Sequence, residues 1–114
     1  MSNAPNSAGG PMAVRLESAG RHQALLEGCP ATRGMRSGHV ALPPGQECGE
    51  HSTKGHEETL VFLAGSGTVR LGGHDDLPVG AGMVAYVPPH TTHNVVNTGE
   101  GLLCYVYVVA PVPG

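Results

Sequence analysis

Apolar residues along the chain come in short runs, each cut by glycine or proline. The clearest is Glu58-Thr59-Leu60-Val61-Phe62-Leu63-Ala64, which is apolar on both faces after its first residues. That pattern predicts a strand covered on both sides. Ala13 to Leu16, His22 to Glu27 and Met35 to Leu42 read as earlier strands, and Glu47 to Thr53 as an extended stretch. Ser52-Thr53-Lys54-Gly55 reads as a turn. Gly65-Ser66-Gly67 reads as a hairpin loop that lets Thr68 to Leu71 pair back on the strand before it. Met83 to Val87, His93 to Asn97 and Leu102 to Val109 complete the series, with turns at Gly72 to Asp76 and Asn97 to Gly101. No segment of ten or more residues carries an apolar repeat of helical period, so little or no helix is predicted. Eight to ten short strands at regular spacing predict an all-β antiparallel sandwich or jelly roll.

Composition sharpens this picture in a few places. At 114 residues the chain has room for one core. Met1 to Met12 is rich in small polar residues, glycine and proline; it is expected to be disordered, with a single domain over 13–112. Aromatics are only 4% and Trp is absent, so Val, Leu and Ala must fill the interior. Gly 18 and Pro 10 suit many tight turns. Net charge is −3 with a single lysine, Lys54, and no basic run, which argues against nucleic acid as a partner. The longest apolar run, Leu102 to Ala110, is far short of the roughly 20 residues a membrane-spanning helix needs. The N-terminus shows no basic segment followed by an apolar stretch, and Cys29, Cys48 and Cys104 have no metal-type pair spacing. Reduced thiols in a cytoplasmic protein are the expectation.

The chemistry-bearing residues gather between Gly45 and Asn97. Side chains alternate across a strand, so Glu58 shares a face with Leu60 and Phe62, and His93 with Val95 and Asn97. An ionised carboxylate buried alone costs several kcal/mol. Two imidazoles beside it can share a divalent cation and remove that cost. His51, Glu58 and His93 would form such a set, leaving coordination positions open. His56 has the right parity to join them if the strand starts early. His22, His39 and His74 have no motif partner and read as surface or edge residues, and Glu57 as a solvated neighbour of Glu58.

Two blocks resemble the paired motifs of the cupin superfamily. The first motif is Gly, five residues, His-x-His, three or four residues, Glu, six residues, Gly. Gly45, His51, Glu58 and Gly65 fall on it. The second is Gly, five residues, Pro-x-Gly, two residues, His, three residues, Asn. Gly82, Pro88, His93 and Asn97 fall on it. Thr53 stands where the first motif has its second His, and His90 where the second has its Gly.

The resemblance implies a double-stranded β-helix, or jelly-roll barrel, of the small single-domain kind. It implies metal ligands at His51, Glu58 and His93; with Thr53 in place of the second His, the site is a three-ligand version, a version repaired by His56, or one that has lost its metal. The implied cofactor is a divalent transition metal, Fe, Mn, Ni or Zn. Thr53, Phe62, His90, Tyr105 and Tyr107 are candidate pocket-lining residues, and Asn97 a structural tie. The implied function is a small metal-dependent enzyme, oxygenase-like or isomerase-like, acting on a small oxygen-bearing metabolite. The alternative is a non-catalytic module that binds a small molecule or sugar. The partners implied are a small-molecule ligand and a second copy of the chain in a homodimer.

Overall fold

The structure, a computed structural model, describes residues 9–17 and 20–113. Residues 1–8 of the segment expected to be disordered lie outside the described residues. No helix occurs among those described. Nine strands follow one another: β1 (His22–Glu27), β2 (Arg36–Leu42), β3 (His51–Ser52), β4 (His56–Ala64), β5 (Ser66–Leu71), β6 (Leu77–Gly80), β7 (Val84–Val87), β8 (Thr92–Val96) and β9 (Leu103–Pro111).

They form two antiparallel sheets, one in the order β1-β2-β9-β4-β7 and the other β3-β8-β5-β6. This is the predicted jelly roll. The sheets close over Leu42, Leu60, Phe62, Val69, Val95 and Leu103, each at most 1% exposed. Along β4 burial alternates, with Glu58, Leu60 and Phe62 inward. The period of two places the one acidic inward residue near the end of a row of apolar ones.

Four expectations need correction. Ala13 to Leu16 is not a strand. The Gln23 side chain donates to the Arg15 carbonyl and accepts from the Glu17 amide, bonds that would otherwise go to a neighbouring strand. The stretch Glu47 to Thr53 is strand only at His51–Ser52, with an isolated bridge from Glu47 to Val96. Gly65 does not close a hairpin. β4 pairs with β7 and β9, whereas β5 pairs with β6 and β8, so the chain changes sheets at this residue. Gly65 has φ 83°, and a Cβ there would stand 2.9 Å from Leu103 Cα and against the Leu102 carbonyl oxygen. Only glycine fits such a corner. Finally, the described residues cover β4 on one side only, and Leu63 on its outer side is 45% exposed.

Asn97 ties three segments together. Its Nδ2 donates to the Leu42 and Gly101 carbonyls at 2.7 and 2.8 Å, and its Oδ1 accepts from the Gly99 amide at 2.9 Å. It is 1% exposed, so these bonds replace the water it loses.

Candidate metal centre

His51 and His93 are direct cross-strand partners in the β3–β8 pair. Opposite residues of an antiparallel pair put their side chains on one face, and the two ring centroids are 4.2 Å apart. The short β3 is held in place from β8. The Asn94 Oδ1 accepts from the Gly49 amide at 3.0 Å, and its Nδ2 donates to the Glu47 carboxylate at 2.9 Å. The Cys48 amide donates to the Val95 carbonyl at 3.0 Å.

Glu58 arrives from the other sheet, on β4. Its Oε1 lies 2.8 Å from His93 Nε2. One donor atom from each of His51, Glu58 and His93 falls within 4.8 Å of the others. The cluster thus bridges the two sheets.

The ring orientations bear on what the cluster can hold. His51 Nδ1 is 2.9 Å from the Gly49 carbonyl oxygen, and His93 Nδ1 is 3.1 Å from that of Thr91. A carbonyl can only accept, so each Nδ1 carries a proton and donates it. Each Nε2 of a neutral ring is then a lone-pair nitrogen. His93 Nε2 is buried and has no aligned hydrogen-bond partner, despite the nearby carboxylate. Histidines that ligate metals almost always donate their other ring N–H in this way. The three residues therefore fit a divalent cation in donor type, spacing and tautomer.

Burial pulls the pKa of His93 down, but the Glu58 carboxylate and the Thr91 carbonyl together outweigh it, and the net shift is upward. Tyr105 is pushed well above the usual phenol range, first by burial and then by Cys48. It holds its proton throughout the physiological range.

A cavity of about 340 Å³ opens beside the cluster. His56 lines it, on β4 two residues before Glu58, but its ring nitrogens are not part of the converging set. Tyr105 and Tyr107 line it from β9. Thr53 also borders it, but its hydroxyl is committed elsewhere: it donates to the Pro88 carbonyl at 2.6 Å and accepts from the Thr91 amide at 3.0 Å. The position where the family motif has a histidine here pins two loops together.

Phe62 and His90 are not among the lining residues, unlike the expectation. Phe62 points into the core, 1% exposed, with its ring tilted against Tyr105. His90 is exposed on a turn at φ 54°, its amide donating to the Lys54 carbonyl. Glu57 faces the opposite side of β4, where it accepts from the Tyr86 hydroxyl at 2.9 Å.

Three lining residues had no signal in the sequence. His22, read there as a surface or edge residue, borders the cavity and sits 2.8 Å from the Tyr107 hydroxyl. Arg36 and Cys48 border it as well. Placing His22 and Arg36 requires knowing that β2 pairs with β9, a contact between distant parts of the chain.

Two facing antiparallel sheets with a His–Glu–His cluster between them describe a cupin barrel. A family model described as a cupin domain matches residues 38–109, and the chain belongs to that family. Among curated relatives, an oxalate-binding protein from Thermotoga maritima is 34% identical over 70 residues. The match covers 61% of this chain but only 57% of that relative. A cupin 2 conserved barrel domain protein from Salinispora arenicola superposes with a TM-score of 0.74 at 24% identity, over 90% of this chain and 92% of that one. An RmlC-like cupin family protein with a double-stranded β-helix fold, from Methanocaldococcus jannaschii, gives 0.73 at 20% identity, over 90% and 91%. At these identities the two solved structures speak to the fold alone.

Proposed function

We propose that this cupin barrel holds a divalent transition metal, Fe, Mn, Ni or Zn, on His51, Glu58 and His93, and takes a small oxygen-bearing molecule into the cavity beside it. The observation that carries this reading is the pair of tethered imidazoles. Each has its Nδ1 proton given to a backbone carbonyl, and the buried Nε2 of His93 stands 2.8 Å from a buried Glu58 oxygen without an aligned hydrogen bond. When bound, the metal supplies Lewis acidity toward a ligand oxygen, or redox chemistry if it is iron.

The chain's own residues do the rest. Leu60 and Val95 contribute apolar surface to the cavity wall. Tyr105, which keeps its proton, offers a hydrogen-bond donor to a ligand oxygen. His56 stands at the same wall and is the candidate for a fourth donor or for moving a proton. His56→Ala should lower metal affinity if it ligates, and leave affinity unchanged while slowing turnover if it moves a proton.

Oxygenase-like or isomerase-like turnover is the first reading. The second, a binding module without turnover, draws support from the similarity to the oxalate-binding protein of Thermotoga maritima. Metal-loaded protein incubated with oxalate and small hydroxy acids, followed by NMR and an oxygen electrode, separates the two. A product whose formation is lost in Glu58→Gln supports the enzyme. Thermal stabilisation by a ligand with no product supports the module. Protein that binds neither metal nor any of these ligands contradicts both.

A further inference from the structure

We infer that the end of the cavity formed by β1 and β2 is an anion pole, where Arg36 and the His22–Tyr107 pair hold a carboxylate group of a short ligand whose other end reaches the His–Glu–His cluster. This rests on the reading that the cavity takes a small oxygen-bearing ligand, but not on the metal.

The strand register places the two ends. Val109 of β9 pairs with Glu58 on one side and with Arg36 on the other. Residues opposite one another share a face, so Arg36 looks into the same interior as Glu58, two strand spacings or roughly 10 Å away along the sheet. A ligand lying across Val109 spans that gap.

Two glycines shape the pole. In the neighbouring row, Tyr107 pairs with Gly38. A Cβ on Gly38 would stand 2.6 Å from the Tyr107 ring carbons, so only glycine lets that ring lie across β2. The phenol thereby reaches His22 on β1, stacked on it with centroids 5.8 Å apart and planes 7° from parallel. Gly28, at φ 86°, plays the same part for Arg36: a Cβ there would meet the arginine's Cγ at 3.3 Å. The arginine stem thus packs on bare backbone.

Arg36 is the one arginine or lysine among the lining residues. Glu27 stands opposite Arg36 in the β1–β2 pair, yet among the described residues the ion pair found is His93 with Glu58, so no carboxylate is in ion-pair contact with Arg36. A guanidinium without a contacting carboxylate, in a cavity that the Tyr107 phenol and the His22 imidazole also line, suits the two-oxygen edge of a carboxylate. A neutral sugar or diol would leave that charge unused. In a chain of net charge −3, it also offsets the repulsion an anionic ligand would meet from Glu58.

The test is calorimetric titration of malonate, succinate and glutarate, with 1,3-propanediol as the neutral control. It is run on metal-free and Zn(II)-loaded wild type, Arg36→Gln and Arg36→Lys. At least one dicarboxylate should bind both forms of the wild type, and the diol should not. Arg36→Gln should weaken binding roughly tenfold or more, and Arg36→Lys less. Arg36 is exposed, so both variants should keep the wild-type unfolding midpoint, which a thermal scan verifies. If the protein takes no metal yet binds a dicarboxylate in an Arg36-dependent way, the anion pole stands and the metal reading falls. Binding of no dicarboxylate, or equal binding by wild type and Arg36→Gln, overturns the anion pole whatever the metal does.

Discussion

His93 lies between opposing pulls: burial disfavours its charge, while Glu58 and the Thr91 carbonyl favour it, and the second pair wins. With a folded pKa above the ordinary value of 6.5, its pairing with Glu58 stabilises the metal-free fold fully below that value. The contribution is lost as pH rises through the folded pKa. A cation needs the same Nε2 lone pair, so proton and metal compete. Metal affinity should therefore fall as pH drops from about 8 to about 6. Competitive titration with a chelating dye across that range checks this, and a flat profile would speak against His93 as a ligand. Thr53 carries a different kind of weight. Thr53→Val would strand the Pro88 carbonyl and the Thr91 amide, at a cost of about 1–3 kcal/mol, read as a lower urea midpoint. The residues of the cluster were legible in the sequence because motif spacing points to them. The role of Thr53 was not, since its partners lie more than thirty residues away.

At the scale of elements, strand positions were largely visible and strand partners were not. The run from Glu58 to Ala64 announces a strand by composition alone. Whether the chain then folds back or crosses to the other sheet depends on what Gly65 touches, and that is the backbone of Leu102 and Leu103 from the far end of the chain. A glycine-rich link between apolar runs fits a hairpin equally well. Gly65→Ala should be costly, because it combines a left-handed φ with a clash against fixed backbone. A loss of roughly 1–3 kcal/mol or more is expected, measured as a lower thermal midpoint. Wild-type stability in that variant would mean the corner is looser than described. The pairing of β3 with β8 could not be read locally either, yet it is what sets His51 opposite His93.

For the whole molecule, the outer side of the five-stranded sheet is the feature a single chain leaves unexplained. Val84 and Tyr86 on its β7 edge are 65% and 54% exposed, and Leu63 on β4 is 45% exposed. Val61 pairs with both Val84 and Val106, which continues the apolar surface inward from the edge. The sequence predicted β4 to be covered on both sides, and a second copy of the chain seated on this face would supply the missing cover. Light scattering should give the mass of two chains, with Val84→Lys shifting it toward one. A wild-type mass equal to one chain would refute the dimer.

The central claim is that two imidazoles from one sheet and a carboxylate from the other share a cation. The most direct measurement is the metal content of protein purified without a histidine tag, for wild type and for His93→Ala. About one transition-metal ion per chain in the wild type and almost none in His93→Ala is the predicted result. Equal metal in the two proteins, or none in a correctly folded wild type supplied with metal, would contradict it.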